Sequence, residues 1–122
     1  MSLVGGALAQ ISSSCKAIDF DTTTDVLSAD CVPRNQSGYI SSHLNLNDCF
    51  GYDGAKITPT HHGDFGASCT GCDLYIAPDP FYGGPIYWMN CTCAGQSAEV
   101  AVPIEDAYAH QYVVNSDGHL TC

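Results

Sequence analysis

Eight cysteines, one adjacent histidine pair and a scatter of carboxylates are the side chains here that could do chemistry. Cys69-Thr70-Gly71-Cys72 is the single CxxC, and Cys91-Thr92-Cys93 does not supply the second knuckle that a zinc ribbon needs. No βαβ pattern surrounds that CxxC, so dithiol redox catalysis is not indicated. His61 and His62 stand beside Asp64 and would offer a metal two imidazoles and a carboxylate, but neighbouring histidines in a polar loop read more simply as solvated side chains. Asp19, Asp21 and Asp25 resemble a calcium loop only faintly, because the glycine at the sixth position and the glutamate at the twelfth are missing. Hydrolysis would need a nucleophile with a histidine and a carboxylate, or two carboxylates in a cleft, and no such group is marked. The expectation is a binding protein, not an enzyme, with no metal and no cofactor.

The cysteines point instead to structure. An even, dense set in 122 residues reads as a disulfide framework made in an oxidising compartment, which places the protein outside the cell. Thirteen acidic residues against three basic ones, Lys16, Arg34 and Lys56, give a net charge of −10. Phosphate neutralisation needs clustered Lys and Arg, so nucleic acid is a poor partner and an anionic membrane surface would repel the chain. No apolar run is long enough to span a bilayer. Residues 1–10, ending in Ala7-Leu8-Ala9-Gln10, read as a trimmed signal-peptide remnant or a tag-like disordered segment, with one domain over residues 11–122. Asn35-Gln36-Ser37 and Asn90-Cys91-Thr92 are glycosylation sequons, the first in a loop and the second between cysteines of a strand.

The elements that must position these side chains come in two copies. Cys15, Leu27-Ser28-Ala29-Asp30-Cys31, Leu44-Asn45-Leu46-Asn47-Asp48 and Asp53-Gly54 in the first half are matched by Cys69, Met89-Asn90-Cys91-Thr92-Cys93, Ile104-Glu105-Asp106 and Asp117-Gly118-His119-Leu120 in the second. Repeats of about fifty residues bury little alone, so the halves (about 12–58 and 64–122) are expected to complete each other's cores. Helical periodicity is weak. Residues 15–20, 26–32, 39–46, 65–76, 86–93 and 99–102 read as strands, and 47–51 and 104–110 as single helical turns. Residues 77–85, with Pro78, Pro80, Pro85, Gly83 and Gly84, read as a loop inserted between two strands. That loop brings Phe81 and Tyr82 near Tyr75, Tyr87 and Trp88, a cluster able to stack on sugar or dock a protein, with local packing the simpler alternative. Residues 58–63 form the hinge between halves, so either a monomer or a domain-swapped dimer is expected.

Taken together, the tandem Leu27-x-x-x-Cys31 and Met89-x-x-x-Cys93, the Leu46-Asn47 and Asp117-Gly118-x-Leu120 segments and the proline-containing hinge resemble the cyanovirin-N homology family, most of all its cysteine-rich fungal members. The resemblance covers roughly residues 12–122. It implies an all-β fold of two pseudo-symmetric repeats, each a three-stranded antiparallel sheet plus a β-hairpin, with strand exchange between repeats. It also implies a secreted lectin that binds mannose-containing oligosaccharides without catalysis. The family's pattern suggests the bridges Cys15–Cys31 and Cys69–Cys93. If Cys69 faces Cys93 across antiparallel strands, Cys72 and Cys91 lie close enough in register for a second bridge, and Cys49 is left with Cys122. A bridge closing about fifteen residues contributes on the order of 3 kcal/mol by the loop-entropy model.

Carried over position by position, the resemblance places one sugar site at the chain ends, with Ser13 and Ser14, Arg34 and Asn35, and Asn115, Asp117 and Gly118. Asp117 would accept hydrogen bonds from sugar hydroxyls, while Asn115 and the Gly118 backbone would orient the ring. Val32 and Pro33 stand where the family usually has polar side chains. A second, weaker site near the hinge would use Asp53, Gly63, Asp64, Ser68 and Gln96, but Ala67, Ala94 and Gly95 replace polar residues there, so one working site is expected. One site alone implies millimolar to micromolar affinity for a short glycan. The rival expectation is a protein-interaction or effector-like module that kept the fold, lost sugar binding and docks a partner on the aromatic segment 75–88.

Overall fold

The computed structural model describes residues 8–80, 83–106 and 112–122. In chain order the elements are β1 (Leu8–Ala9), α1 (Ile11–Ser14), β2 (Cys15–Asp21), β3 (Val26–Cys31), β4 (Ile40–Asn45), β5 (Phe50–Tyr52), β6 (Ile57–Pro59), β7 (Cys69–Pro78), β8 (Pro85–Cys93), β9 (Val100–Pro103), β10 (Val114–Ser116) and β11 (His119–Thr121). Single 3-10 turns at Leu46–Asp48 and Phe65–Ala67 complete the list.

Each half builds one antiparallel three-stranded sheet, β2-β3-β4 in the first and β7-β8-β9 in the second. Alternation fixes which face goes inward. On β3, Leu27, Ala29 and Cys31 are buried while the residues between them are half-exposed, so a one-residue slip would move this whole set to the wrong face. The hairpins are exchanged. β10–β11 of the second half packs on β3 and β4 of the first, where the Leu120 N–H donates to Ser42 Oγ at 2.9 Å. β5–β6 of the first half packs on β9 and on the Phe65–Ala67 turn of the second. Fully buried Ile11, Leu27, Leu46 and Phe50 therefore join Phe65, Met89, Ile104 and Val113 in one core. Each large apolar side chain buried this way contributes about 1.5–3 kcal/mol.

Disulfides join Cys15 to Cys31, Cys69 to Cys93, Cys72 to Cys91 and Cys49 to Cys122. The first two link directly opposed residues of their hairpins. Both hairpins carry a bulge one step in, after Lys16 and after Thr70, where Ala17 takes φ 53° and Gly71 takes φ 62°. Beyond the bulge the halves differ: Cys72 and Cys91 are bridged where the first half has Ile18 and Ala29.

Several expectations are corrected. The strand expected over 65–76 begins as a 3-10 turn and runs as strand only from Cys69. The strands reach into both ends of the loop expected over 77–85, because Ala77 pairs with Ile86 and Pro78 with Pro85. β7 is an edge strand and these are its last pairs, so the missing proline N–H groups leave little of the ladder unmade. Leu8 and Ala9, read as part of a leader or disordered segment, pair with Ser116 and Asn115. The helical turn expected at 47–51 sits at Leu46–Asp48, while that expected at 104–110 lies mostly outside the described residues, as do Phe81 and Tyr82. The hinge is pinned by backbone bonds: the N–H groups of Thr60, His62 and Asp64 donate to the carbonyls of Cys49, Asp48 and Asn47.

Candidate functional site

The first site forms where three chain segments meet: the end of α1, the loop after β3 and the tip of β10–β11. Asp117 and Gly118 form a two-residue hairpin turn with positive φ at both positions (52° and 92°), the requirement of a type I′ turn. A Cβ on Gly118 would also meet Ile40 Cδ1 at 2.6 Å, so any larger residue must displace the end of that side chain as well as adopt the strained φ. Asn115, only 2% exposed, sits at the centre. Its Nδ2 donates to Ser14 Oγ and to the Val32 carbonyl, both at 3.0 Å, and its Oδ1 accepts from Gly118 N at 2.7 Å. Asn115 and the Gly118 N–H are thus committed to each other and to the frame. They position the solvent-facing loops at the place where the resemblance expects them to orient a sugar ring.

Asp117 closes the loop after β3 onto the turn. Its Oδ1 accepts from the Arg34 backbone N–H at 2.8 Å, and its Oδ2 lies 3.7 Å from Arg34 Nη2. Both side chains are more than half solvated or nearly so, so the ion pair itself is worth less than about 1 kcal/mol. Asn35 Oδ1 accepts from Ser37 N at 3.0 Å, shaping the next turn. Ser13 and Ser14 hydroxyls both donate to the Gln10 carbonyl, at 3.2 and 2.7 Å.

Beside this frame lies an open cleft of about 450 Å³ lined by Ser13, Ser14, Val32, Gln36, Gly38 and Tyr39. Tyr39 is 52% exposed, and Lys16 Nζ stands 4.0 Å from its ring centroid, a cation–π contact that holds the ring upright at the cleft's edge. Of the expected residues, Ser13 and Ser14 line the cleft, and Arg34 and Asn35 lie on the loop that forms its wall. Gln36, Gly38 and Tyr39 escaped the sequence reading. Their one signal was an exposed-type turn, Ser37-Gly38, directly before an aromatic residue.

The second site repeats the arrangement, with Asp53, Asp64, Ser68 and Gln96 all solvent-exposed. Asp53 Oδ1 accepts from Ala55 N and Lys56 N, both at 2.8 Å, and these backbone donors, Lys56 first, hold its carboxyl below the usual range. Gln96 Nε2 donates to the Gly54 carbonyl at 2.8 Å and Tyr52 Oη to the Ala94 carbonyl at 2.6 Å, binding the loop after β8 to the β5–β6 turn. Ser68 contributes its carbonyl to Ala94 N at 2.8 Å. Gly63 lies against the backbone of Gly51, where a Cβ would fall at 2.6 Å, and Asp64 takes φ 53° with its N–H bound to Asn47. Gly63, Asp64 and Gln96 thus brace the loops of the second expected site.

A family comparison decides what this frame is. The family model for the CVNH domain matches residues 11–121. The chain belongs to the CVNH family. Among solved structures, the microvirin–mannobiose complex superposes with a TM-score of 0.64 at 19% identity, covering 93% of this chain and 97% of that one. The CVNH protein of Gibberella zeae gives 0.64 at 19% identity, over 91% and 94%. A MoCVNH3 variant in complex with (N-GlcNAc)4 gives 0.58 at 11%, over 97% and 99%. Among curated proteins, none matches the chain by sequence.

Elsewhere on this CVNH chain, Tyr75 stacks on Trp88 with centroids 6.2 Å apart, and Ile76 beside them is 59% exposed. His61 and His62 rings lie 3.9 Å apart and His62 Nδ1 is 3.4 Å from Asp48 Oδ1. Among the described residues, no three His, Cys, Asp or Glu side chains converge as a metal site.

Proposed function

We propose that this chain is a secreted, non-catalytic lectin that takes a mannose-containing glycan in the cleft bounded by Ser13, Ser14, Gln36 and Tyr39. One observation carries the reading: in a member of the CVNH family, the cleft at the chain ends is lined by two serines, a glutamine and an exposed tyrosine, the mixture that sugar hydroxyls and C–H faces require. Asp117 and Asn115 supply its rigidity, so little ordering entropy is lost on binding. The mannobiose complex of microvirin supports mannose, and the (N-GlcNAc)4 complex of the MoCVNH3 variant sets the competitor to test. Four disulfides support secretion. An amide NMR titration with mannobiose, (GlcNAc)4 and a β-linked glucan tests it. Shifts at Ser14, Gly38 and Tyr39 with mannobiose alone are expected; no shift with any of the three at millimolar concentration overturns the lectin reading.

A second reading, a protein-interaction module, is favoured by the exposed Tyr75 and Ile76 on the β7–β8 hairpin. It predicts shifts at these residues, and none at the cleft, when a partner is added.

A further inference from the structure

The β7–β8 hairpin is longer than its counterpart in the first repeat, with strands of ten and nine residues against seven and six in β2–β3. The extra length carries Asp79, Gly84 and Pro85 out to α1, and β8 packs against that helix. A second hollow of about 310 Å³ opens there, between Gln10, Ser12 and Ser13 on the helix side and Asp79, Gly84 and Pro85 on the hairpin side. Ser13 lines both this hollow and the 450 Å³ cleft that ends at Tyr39. The two are separated only by the α1 surface, where Ser12 and Ser13 are exposed.

We infer that the second hollow is an extension subsite, occupied by the further units of the same oligosaccharide whose terminal units sit in the Tyr39 cleft. This rests on the lectin reading above. The chemistry suits a continuing glycan: the Gln10 amide and the Ser12 and Ser13 hydroxyls offer donors and acceptors, and the Pro85 ring offers a flat apolar surface to sugar C–H groups. Ser12 Oγ donates to Glu105 and so keeps its lone pairs for a ligand hydroxyl. Ser13 acts as the step between subsites. A short ligand fills the first cleft alone, whereas a longer one crosses α1 and gains the second set of contacts without a second loss of translational freedom.

The test uses α-linked manno-oligosaccharides of increasing length, from the disaccharide to the pentasaccharide, with calorimetry and amide NMR on the whole protein. Affinity is expected to rise about tenfold or more from the disaccharide to the longer chains, with shifts at Ser12, Gly84 and Ile86 appearing only for the latter. Gly84→Phe is the blocking variant. A Cβ added at Gly84, which lines the hollow, meets no atom within 4 Å, so the fold is kept while bulk is placed at the hollow's rim. It should leave disaccharide affinity unchanged and abolish the gain with length. If the disaccharide binds in the Tyr39 cleft but longer chains bind no better, or shift no residue of the hairpin, the extension subsite is wrong while the lectin reading stands. If Gly84→Phe retains the full gain, the subsite lies elsewhere and the inference is overturned. If no oligosaccharide binds at all, the lectin reading falls and this inference with it.

Discussion

Glu105 in the second half holds Ser12 at the start of the first-half helix, accepting at Oε1 from both its backbone N–H and its hydroxyl, each at 3.1 Å. Its Oε2 accepts from Tyr87 N at 2.8 Å, so one buried carboxylate fastens α1 to the β7–β8 sheet. Asn47 plays the pseudo-equivalent part in the other half: its Oδ1 accepts from Gly66 N at 2.7 Å and its Nδ2 donates to Asp25 Oδ2 at 3.2 Å. Each repeat thus clamps the short helical turn that opens its partner, one with a carboxylate and one with an amide borrowing a carboxylate.

The clamp makes stability pH-dependent. Glu105 is 0% exposed, and burial pushes its carboxyl above the ordinary glutamate value of 4.5 despite the donors from Tyr87 and Ser12. A raised carboxyl binds more protons in the folded state than in the unfolded one. Stability from this group is therefore full below that ordinary value and falls as pH rises through the raised folded one. Asp25, also raised by burial, has the same sign, so the comparison must isolate Glu105. Glu105→Gln keeps an acceptor for Ser12 and removes the titration. The wild-type-minus-variant stability, from melts across pH 4–8, should decline with rising pH; a rising or flat difference would contradict the assignment. Glu105→Ala, which strands the Ser12 and Tyr87 N–H groups, should cost about 3 kcal/mol.

Gly66 answers for the other clamp. A Cβ there would run into Asp25 Oδ2 and stand 2.8 Å from Asn47 Oδ1, with no room to retreat between two bonded side chains. Gly66→Ala should lower stability by about 1–3 kcal/mol in denaturant unfolding. Ser12→Ala, at the matching position, loses one hydroxyl bond and should cost only about 1 kcal/mol. Equal effects would mean that the added Cβ at Gly66 is accommodated and the expected clash is absent.

The bulges offer a stabilising change. Ala17 holds φ 53° where Gly71 holds φ 62° in the second repeat, and a left-handed alanine is strained by about 1–2 kcal/mol. Ala17→Gly relieves that strain but adds freedom to the unfolded chain, so a net gain of up to about 1 kcal/mol is expected in thermal melts.

What the sequence showed and hid follows from where each signal resides. Cysteine spacing, the Leu27 and Met89 alternation and the Asp-Gly turns are local, so the repeats and the sheets were legible; the bridges expected from the family resemblance, from register and by elimination are the ones the structure forms. The inward direction of Asn115 was hidden because it is set by strand pairing with Leu120 and Ala9, which no local pattern reveals. Pro78 and Pro85 were misread because proline marks a loop except on an edge strand, where Pro78 lies, or at the first residue of a strand, where Pro85 lies. Tyr39 and Gln36 were invisible because the loop carrying them takes its shape from a contact 83 residues away, between Arg34 and Asp117.

That long-range contact is the most direct way to separate frame from ligand contact. If Asp117 acts by holding the loop, its acceptor atom matters and its charge does not. Asp117→Asn retains an oxygen for the Arg34 N–H and should keep mannobiose affinity within about twofold, whereas Asp117→Ala frees residues 34–39 and should weaken binding about tenfold. Loss of that bond should cost only about 1 kcal/mol of stability, so the alanine variant remains folded for the measurement. Titration of both variants by amide NMR, following Gly38 and Tyr39, checks this. Equal losses in the two would show that the Asp117 carboxylate itself meets the sugar through its charge, and the cleft would then have to be redrawn to include the β10–β11 turn.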